Sequence, residues 1–187
     1  MCDQNITKVL AAVRQAQKVF PDGVFNGLSF SHNSYFKDGS LLQVLSFFEK
    51  PTKKNRIKNL HLERVNCSAT ALFRFCRSVE ALPADLHYIN LGGNNIPYFC
   101  VDGMLAQKRL PKYLDLSDTR MDDLTAFHLV SGLVKHQHRT VEVSLARNPL
   151  LSFAFFTKLS DFLASATTGK LKLKLLNLQH CTISEQC

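Results

Sequence analysis

Several features are missing from this 187-residue chain, and each absence removes a class of protein. No run of about 20 consecutive apolar residues occurs, which excludes a membrane-spanning helix. The N-terminus lacks the charged-then-apolar pattern of a leader, so the expectation is a cytoplasmic chain. Polar low-complexity stretches are absent and 45% of the residues are apolar, enough to bury a sizeable core in a single domain over 1–187. The six cysteines, Cys2, Cys67, Cys76, Cys100, Cys181 and Cys187, form no C-x-x-C pair and show no zinc-finger spacing with histidine. Buried thiols are expected instead. With no Walker loop, dinucleotide fingerprint or metal-spaced histidine pair, neither cofactor nor metal is expected. His61, His180 and Cys181 come nearest to a nucleophile and its base, but Cys181 falls at an inward position with no orienting acid. The chain is therefore expected not to be an enzyme. Asn5-Ile6-Thr7 and Asn66-Cys67-Ser68 match the glycosylation sequon, which matters only in a secreted protein.

What is present is a recurrence. In the stretch Leu86-His87-Tyr88-Ile89-Asn90-Leu91-Gly92-Gly93-Asn94-Asn95-Ile96, the residues Leu86, Ile89, Leu91 and Ile96 point to one side of a short strand, and Asn94 is placed to bond neighbouring backbone. The same spacing appears as Phe25, Leu28, Phe30, Asn33, Tyr35 and as Ile57, Leu60, Leu62, Val65, Cys67. Downstream it reads Pro111, Leu114, Leu116, Thr119, Met121, then Thr140, Val143, Leu145, Asn148, Leu150, then Leu173, Leu176, Leu178, Cys181, Ile183. These six stretches fit the leucine-rich repeat template L-x-x-L-x-L-x-x-N-x-L. Their ladder positions 33, 65, 94, 119, 148 and 181 lie roughly 25 to 33 residues apart, long enough for a strand and a full helix in each unit.

The segments between the strands read as helices. Ser40, Ser68, Asp122 and Ser152 stand where N-caps are expected. Apolar stripes follow as Leu41, Leu45, Phe48; Leu72, Cys76, Val79; Phe127, Val130, Val134; and Phe156, Leu159, Leu163. A weaker helix is expected over 98–108, where Gly103 interrupts the pattern. Asn5 to Phe20 reads as another helix, with Val9, Ala12, Val13 and Ala16 on one face, and residues 184–187 begin one more. The expected fold is an α/β solenoid, a horseshoe with a parallel sheet on its concave face and helices on its convex face. Neither end carries a polar terminal unit, so a fragment of a longer solenoid is expected, with uncapped ends that can pair in a homodimer.

Function is then carried by the exposed positions. The central outward row reads Ser29, His61, Asn90, Asp115, Ser144, Asn177, and the row before it Gly27, Asn59, Tyr88, Tyr113, Glu142, Leu175. Parallel strands lie about 4.8 Å apart, so Tyr88 and Tyr113 are expected to stack with Asn90 and Asp115 alongside. Together with His61 and Glu142 they form the expected protein-binding patch. The net charge of +8 is uneven, with more than half of the cations immediately before strands. Lys50, Lys53, Lys54, Arg56 and Lys58 precede the second, and Lys108, Arg109 and Lys112 the fourth. Lys135 and Arg139, with His136 and His138, precede the fifth, and Lys170, Lys172 and Lys174 the sixth. Glu80 and Asp85 interrupt the row at the third. Such a basic edge complements helix C-termini and could also meet an anionic membrane surface. Nucleic acid is not expected, because no aromatic residues interleave with the lysines.

The asparagine, cysteine and threonine at ladder positions 94, 181 and 119 resemble those of the long, helix-containing repeats of the ribonuclease-inhibitor type. More narrowly, residues 28–33, 42–48, 60–63 and 86–91 resemble the solenoid of the CARMIL family, a likeness that covers most of 24–183. That resemblance implies a scaffold within a large cytoplasmic regulator of the actin cytoskeleton, associated with capping-protein control and the cell cortex. Its capping-protein-binding segment has no counterpart in this chain. Two other readings remain at this level: a GTPase-activating solenoid of the RanGAP type, and the sensor segment of an innate-immune receptor.

Overall fold

A computed structural model describes residues 3–19, 26–49, 57–83, 86–136, 139–165 and 172–182. Strands and helices alternate: α1 (Asp3–Val19), β1 (Gly27–Ser29), α2 (Asp38–Glu49), β2 (Asn59–His61), α3 (Ala69–Arg77), β3 (Tyr88–Asn90), α4 (Tyr98–Leu105), β4 (Tyr113–Asp115), α5 (Asp123–Lys135), β5 (Glu142–Ser144), α6 (Phe153–Ser165) and β6 (Leu175–Asn177). A 3₁₀ turn, Val79–Ala81, follows α3. The six strands form one open sheet in chain order, every pair parallel. Leu28, Leu60, Ile89, Leu114, Val143 and Leu176 stand opposite one another as one row. This is the row that the apolar spacing predicts.

Though each strand is only three residues long, the ladder continues past it. Phe30 N donates to His61 O at 2.9 Å, Leu62 N to Asn90 O at 2.8 Å and Leu91 N to Asp115 O at 2.9 Å. Two residues on, His32 N donates to Glu63 O and Arg64 N to Gly92 O. There the chain leaves the sheet through a left-handed residue at one phase of each unit: His32, Arg64, Gly93, Asp118, Arg147 and His180 have φ between 49° and 67°, and the β4 unit has a second at Arg120. The conformation recurs at one phase although only one of the six is glycine.

Between strands and helices lies a buried polar seam. Asn94, 4% exposed, accepts from Val65 N at 3.1 Å and donates to Leu62 O and Leu91 O at 2.8 Å each. Val65, whose side chain has no polar group to offer, is thus served by the following unit. Asn148 repeats the arrangement, accepting from Thr119 N and Met121 N and donating to Leu116 O and Leu145 O. Cys181 Sγ points to Leu145 O in the same way. Asn33 differs: its oxygen accepts from Tyr35 N within its own turn.

Several expected core residues are displaced by one position. Tyr35 and Leu150 are exposed, and Phe36 and Leu151 are buried in their place. At both, a turn closes first, Phe36 N to Asn33 O at 2.9 Å and Leu151 N to Asn148 O at 3.2 Å, which adds a residue before the chain re-enters the core. The α5 stripe is Ala126, Leu129, Val130 and Leu133, with Phe127 and Val134 half-buried. In α6 Phe155 and Leu159 are buried, Phe156 is half-buried and Leu163 exposed. In α1 the buried residues are Ile6, Leu10, Val13 and Gln17 rather than the alanines. Cys76 and Cys100 are buried free thiols; Cys67 and Cys181 are half-buried. The neighbouring Cys100 thiol, and then burial, push the Cys76 thiol well up. Phe25, Ile183, Cys2, Cys187 and 184–187 lie outside the described residues.

Helix starts follow the capping expectation with one exception. Ser68 accepts from Ala71 N at 3.2 Å and Asp122 from Thr125 N at 2.9 Å. Ser152 precedes α6 and accepts from Ala154 N at 3.2 Å. Ser40, however, is buried inside α2, which starts two residues earlier at Asp38. Asp38 instead reaches forward to the next helix. Its carboxylate takes Ser68 N at 2.7 Å and Ser68 Oγ at 2.6 Å, and Asp123 takes Ser152 N and Oγ in the same manner, at 2.7 and 2.5 Å. Gly103 does not interrupt α4. A Cβ there would stand 2.9 Å from Arg77 Cγ and 3.1 Å from Phe73 Cε2, so its bare backbone lets α3 and α4 pack closely.

Candidate binding face

Strand alternation sends the central residue of each strand into the core and its two flanking residues to the opposite face of the sheet. On β2 to β5 that outer face carries the patch expected from the sequence. Tyr113 is 36% exposed, and Tyr88, His61, Asp115 and Glu142 are half-buried. Tyr88 stands opposite Tyr113 in register, and Tyr113 opposite Glu142.

The stacking of Tyr88 on Tyr113 is replaced by a diagonal arrangement. Tyr88 leans on His61, ring centroids 5.0 Å apart, and sends its hydroxyl to Asp115 Oδ2 at 3.4 Å. Both contacts lie two residues further along the neighbouring strands than the register partners. Loss of water, then the Asp115 charge, push the Tyr88 phenol up to about 12, so it stays a donor.

Asn90 is not part of an accessible patch. It is 8% exposed, its oxygen accepts from Gly92 N at 2.7 Å, and its nitrogen reaches Glu63 Oε2 at 3.4 Å. The amide at this position is consumed by the local turn. Asp115 makes the matching turn, with Oδ1 accepting from Ser117 N at 2.9 Å and Ser117 Oγ at 2.6 Å. Its Oδ2 remains turned to the face. Ser117 and Ser144 hydroxyls join at 2.7 Å.

Glu63 and Ser117 belong to this face and escaped the sequence reading. They lie one alternation past the strands, where the ladder still runs, and extending the period of two by one step finds them. Glu63 also lies 3.6 Å from His32. Beyond them Arg64 crosses Gly93 to reach Asp118 Oδ2 at 2.7 Å, two units away. A Cβ on Gly93 would stand 2.2 Å from Arg64 Cγ, and φ there is +67°.

Along the strand starts, Lys58, Lys108, Lys112, Lys172 and Lys174 are exposed. Lys50, Lys53, Lys54, Arg56, His138, Lys170 and Asp85 lie outside the described residues. Arg109 does not join an open edge: its Nη2 donates to Glu80 O at 2.9 Å and Leu82 O at 2.8 Å. Arg139 likewise donates to Leu110 O at 2.6 Å and Leu86 O at 3.1 Å. Carbonyls at the ends of helices and turns lack backbone donors, and the guanidinium fork supplies them. His61 ends β2 whereas Cys181 follows β6, four strands along the sheet, so the two are not brought together. Among the described residues no helix is long and apolar enough to cross a membrane. Compared with known families and with curated proteins, the chain matches no family model and no curated protein.

Proposed function

We propose that this chain is a leucine-rich repeat solenoid acting as a protein-binding scaffold, with its partner on the outer, concave face of the sheet. The observation that carries this reading is the contrast between the two faces. One is closed with aliphatics and saturated by the asparagine seam, whereas the other presents Tyr113 and half-buried Tyr88, His61, Asp115 and Glu142 on a backbone whose bonds are already made. Amphipathic aromatics on a rigid support lose little entropy on docking and anchor interfaces. The resemblance of residues 28–33, 42–48, 60–63 and 86–91 to the CARMIL solenoid supports placing the scaffold in a cytoplasmic regulator of actin at the cell cortex.

The test is proximity labelling in cells with the full chain, comparing the parent with Tyr113→Ser and with Tyr88→Ala/Tyr113→Ala. A labelled set rich in actin regulators that disappears in both variants, with circular dichroism unchanged, supports the reading. A set that is unaffected by the substitutions overturns it.

A further inference from the structure

The outer face has a charge opposite to that of the molecule. The chain as a whole carries +8. Yet the outward positions of β2 to β5, together with the residue two past each strand, hold three carboxylates, Glu63, Asp115 and Glu142, and no lysine or arginine. The lysines stand at the strand starts, and none lies within ion-pair distance of these acids among the described residues.

Two of the acids flank an exposed aromatic ring. Tyr113 is flanked in register by Glu142 on one side and Tyr88 on the other, with Asp115 two residues along its own strand. Glu142 has no partner among the described residues, and Asp115 Oδ2 has only the long contact from Tyr88. Two residues past β3, β4 and β5, the outward positions hold the small, buried Gly92, Ser117 and Ala146. A ring face beside two open carboxylates matches a planar cation that can stack and donate from its edge together, which is the guanidinium and not the ammonium group.

Resting on the docking reading above, we propose that the partner enters this face with an extended basic segment and seats an arginine side chain on Tyr113, its guanidinium between Glu142 and Asp115. The lysines at the strand starts repel cations from the rim, which confines the contact to the centre of the sheet.

The probe is a fluorescein-labelled, end-capped Gly-Arg-Gly-Arg-Gly peptide, with lysine, citrulline and glutamate versions in place of arginine. Anisotropy titrations and amide chemical-shift maps of the full chain are read together. The expected result is arginine-peptide binding that shifts resonances at Tyr113, Asp115 and Glu142, weakens several-fold with lysine and is lost with citrulline or glutamate. Glu142→Gln and Asp115→Asn should each weaken it by about tenfold, and added salt should weaken it further. Both keep the side-chain volume, and Asp115→Asn keeps an acceptor for Ser117. Binding that ignores both substitutions, shifts that map away from Tyr113, or preference for the glutamate peptide would overturn the proposal. If cellular partners depend on Tyr113 but not on the two carboxylates, the docking face stands and the basic segment falls. If they depend on neither, both fall.

Discussion

Asp38, the first residue of α2, holds Ser68, the cap of α3, through both carboxylate oxygens, so the start of one helix fixes the start of the next. Side-chain and backbone hydrogen bonds from Ser68 hold the Asp38 carboxyl below its ordinary value. A lowered carboxyl stabilises the fold above the unfolded-state pKa, and that contribution disappears as pH falls through the folded value. In urea titrations across pH 2 to 7, Asp38→Asn should therefore flatten the acid limb. Ser68→Ala should cost about 1 kcal/mol at neutral pH.

Asn94 ties two units together from a fully enclosed position. Replacing it with alanine strands Val65 N and the carbonyls of Leu62 and Leu91, and should cost about 3 kcal/mol in urea denaturation. Asn33→Ala, which loses only a local turn contact, should cost less than half of that.

Gly93→Ala tests why one left-handed position of six is glycine. The other five tolerate a side chain at similar φ, so backbone conformation alone does not demand glycine. What does is Arg64, whose stem lies across Gly93 on its way to Asp118. The substitution should destabilise by about 1–2 kcal/mol. In an Arg64→Ala background the cost should shrink, and a double-mutant cycle reads the difference.

Tyr88 should ionise late. A spectrophotometric titration should find one phenol near pH 12, and Asp115→Asn should bring it down, because the carboxylate disfavours phenolate. With the folded value above the unfolded one, this group's contribution is intact below about pH 10 and is lost as pH rises through about 12.

The alternation of strands and helices, and the register of all six strands, could be read from apolar spacing because each core aliphatic answers to a fixed local period. Helix faces were harder. Whether Tyr35 or Phe36, or Leu150 or Leu151, turns inward depends on a four-residue turn after Asn33 and Asn148, and both candidates in each pair are apolar. The outer face was legible wherever strand alternation sufficed, hence Tyr88, Tyr113, Asp115 and Glu142. Asn90 was misplaced because outward direction says nothing about a side chain folding back onto its own amide. Arg109 and Arg139 read as surface charge because their carbonyl partners lie in preceding units, a separation that composition and phase do not encode. The same distance hid the link from Asp38 to Ser68.

Just past each strand from β1 to β5, two alternate N–H groups donate to carbonyls at and beyond the end of the next strand, at 30 and 32, 62 and 64, 91 and 93, 116 and 118, and 145 and 147. Splicing in or removing one whole unit would leave the pattern of these backbone joints unaltered, although side-chain links that span two units, Arg64 to Asp118 and Arg139 to Leu86, would be lost or re-made. A wall built this way can grow longer, or exchange one course of outward side chains for another, while the mortar between its courses stays the same.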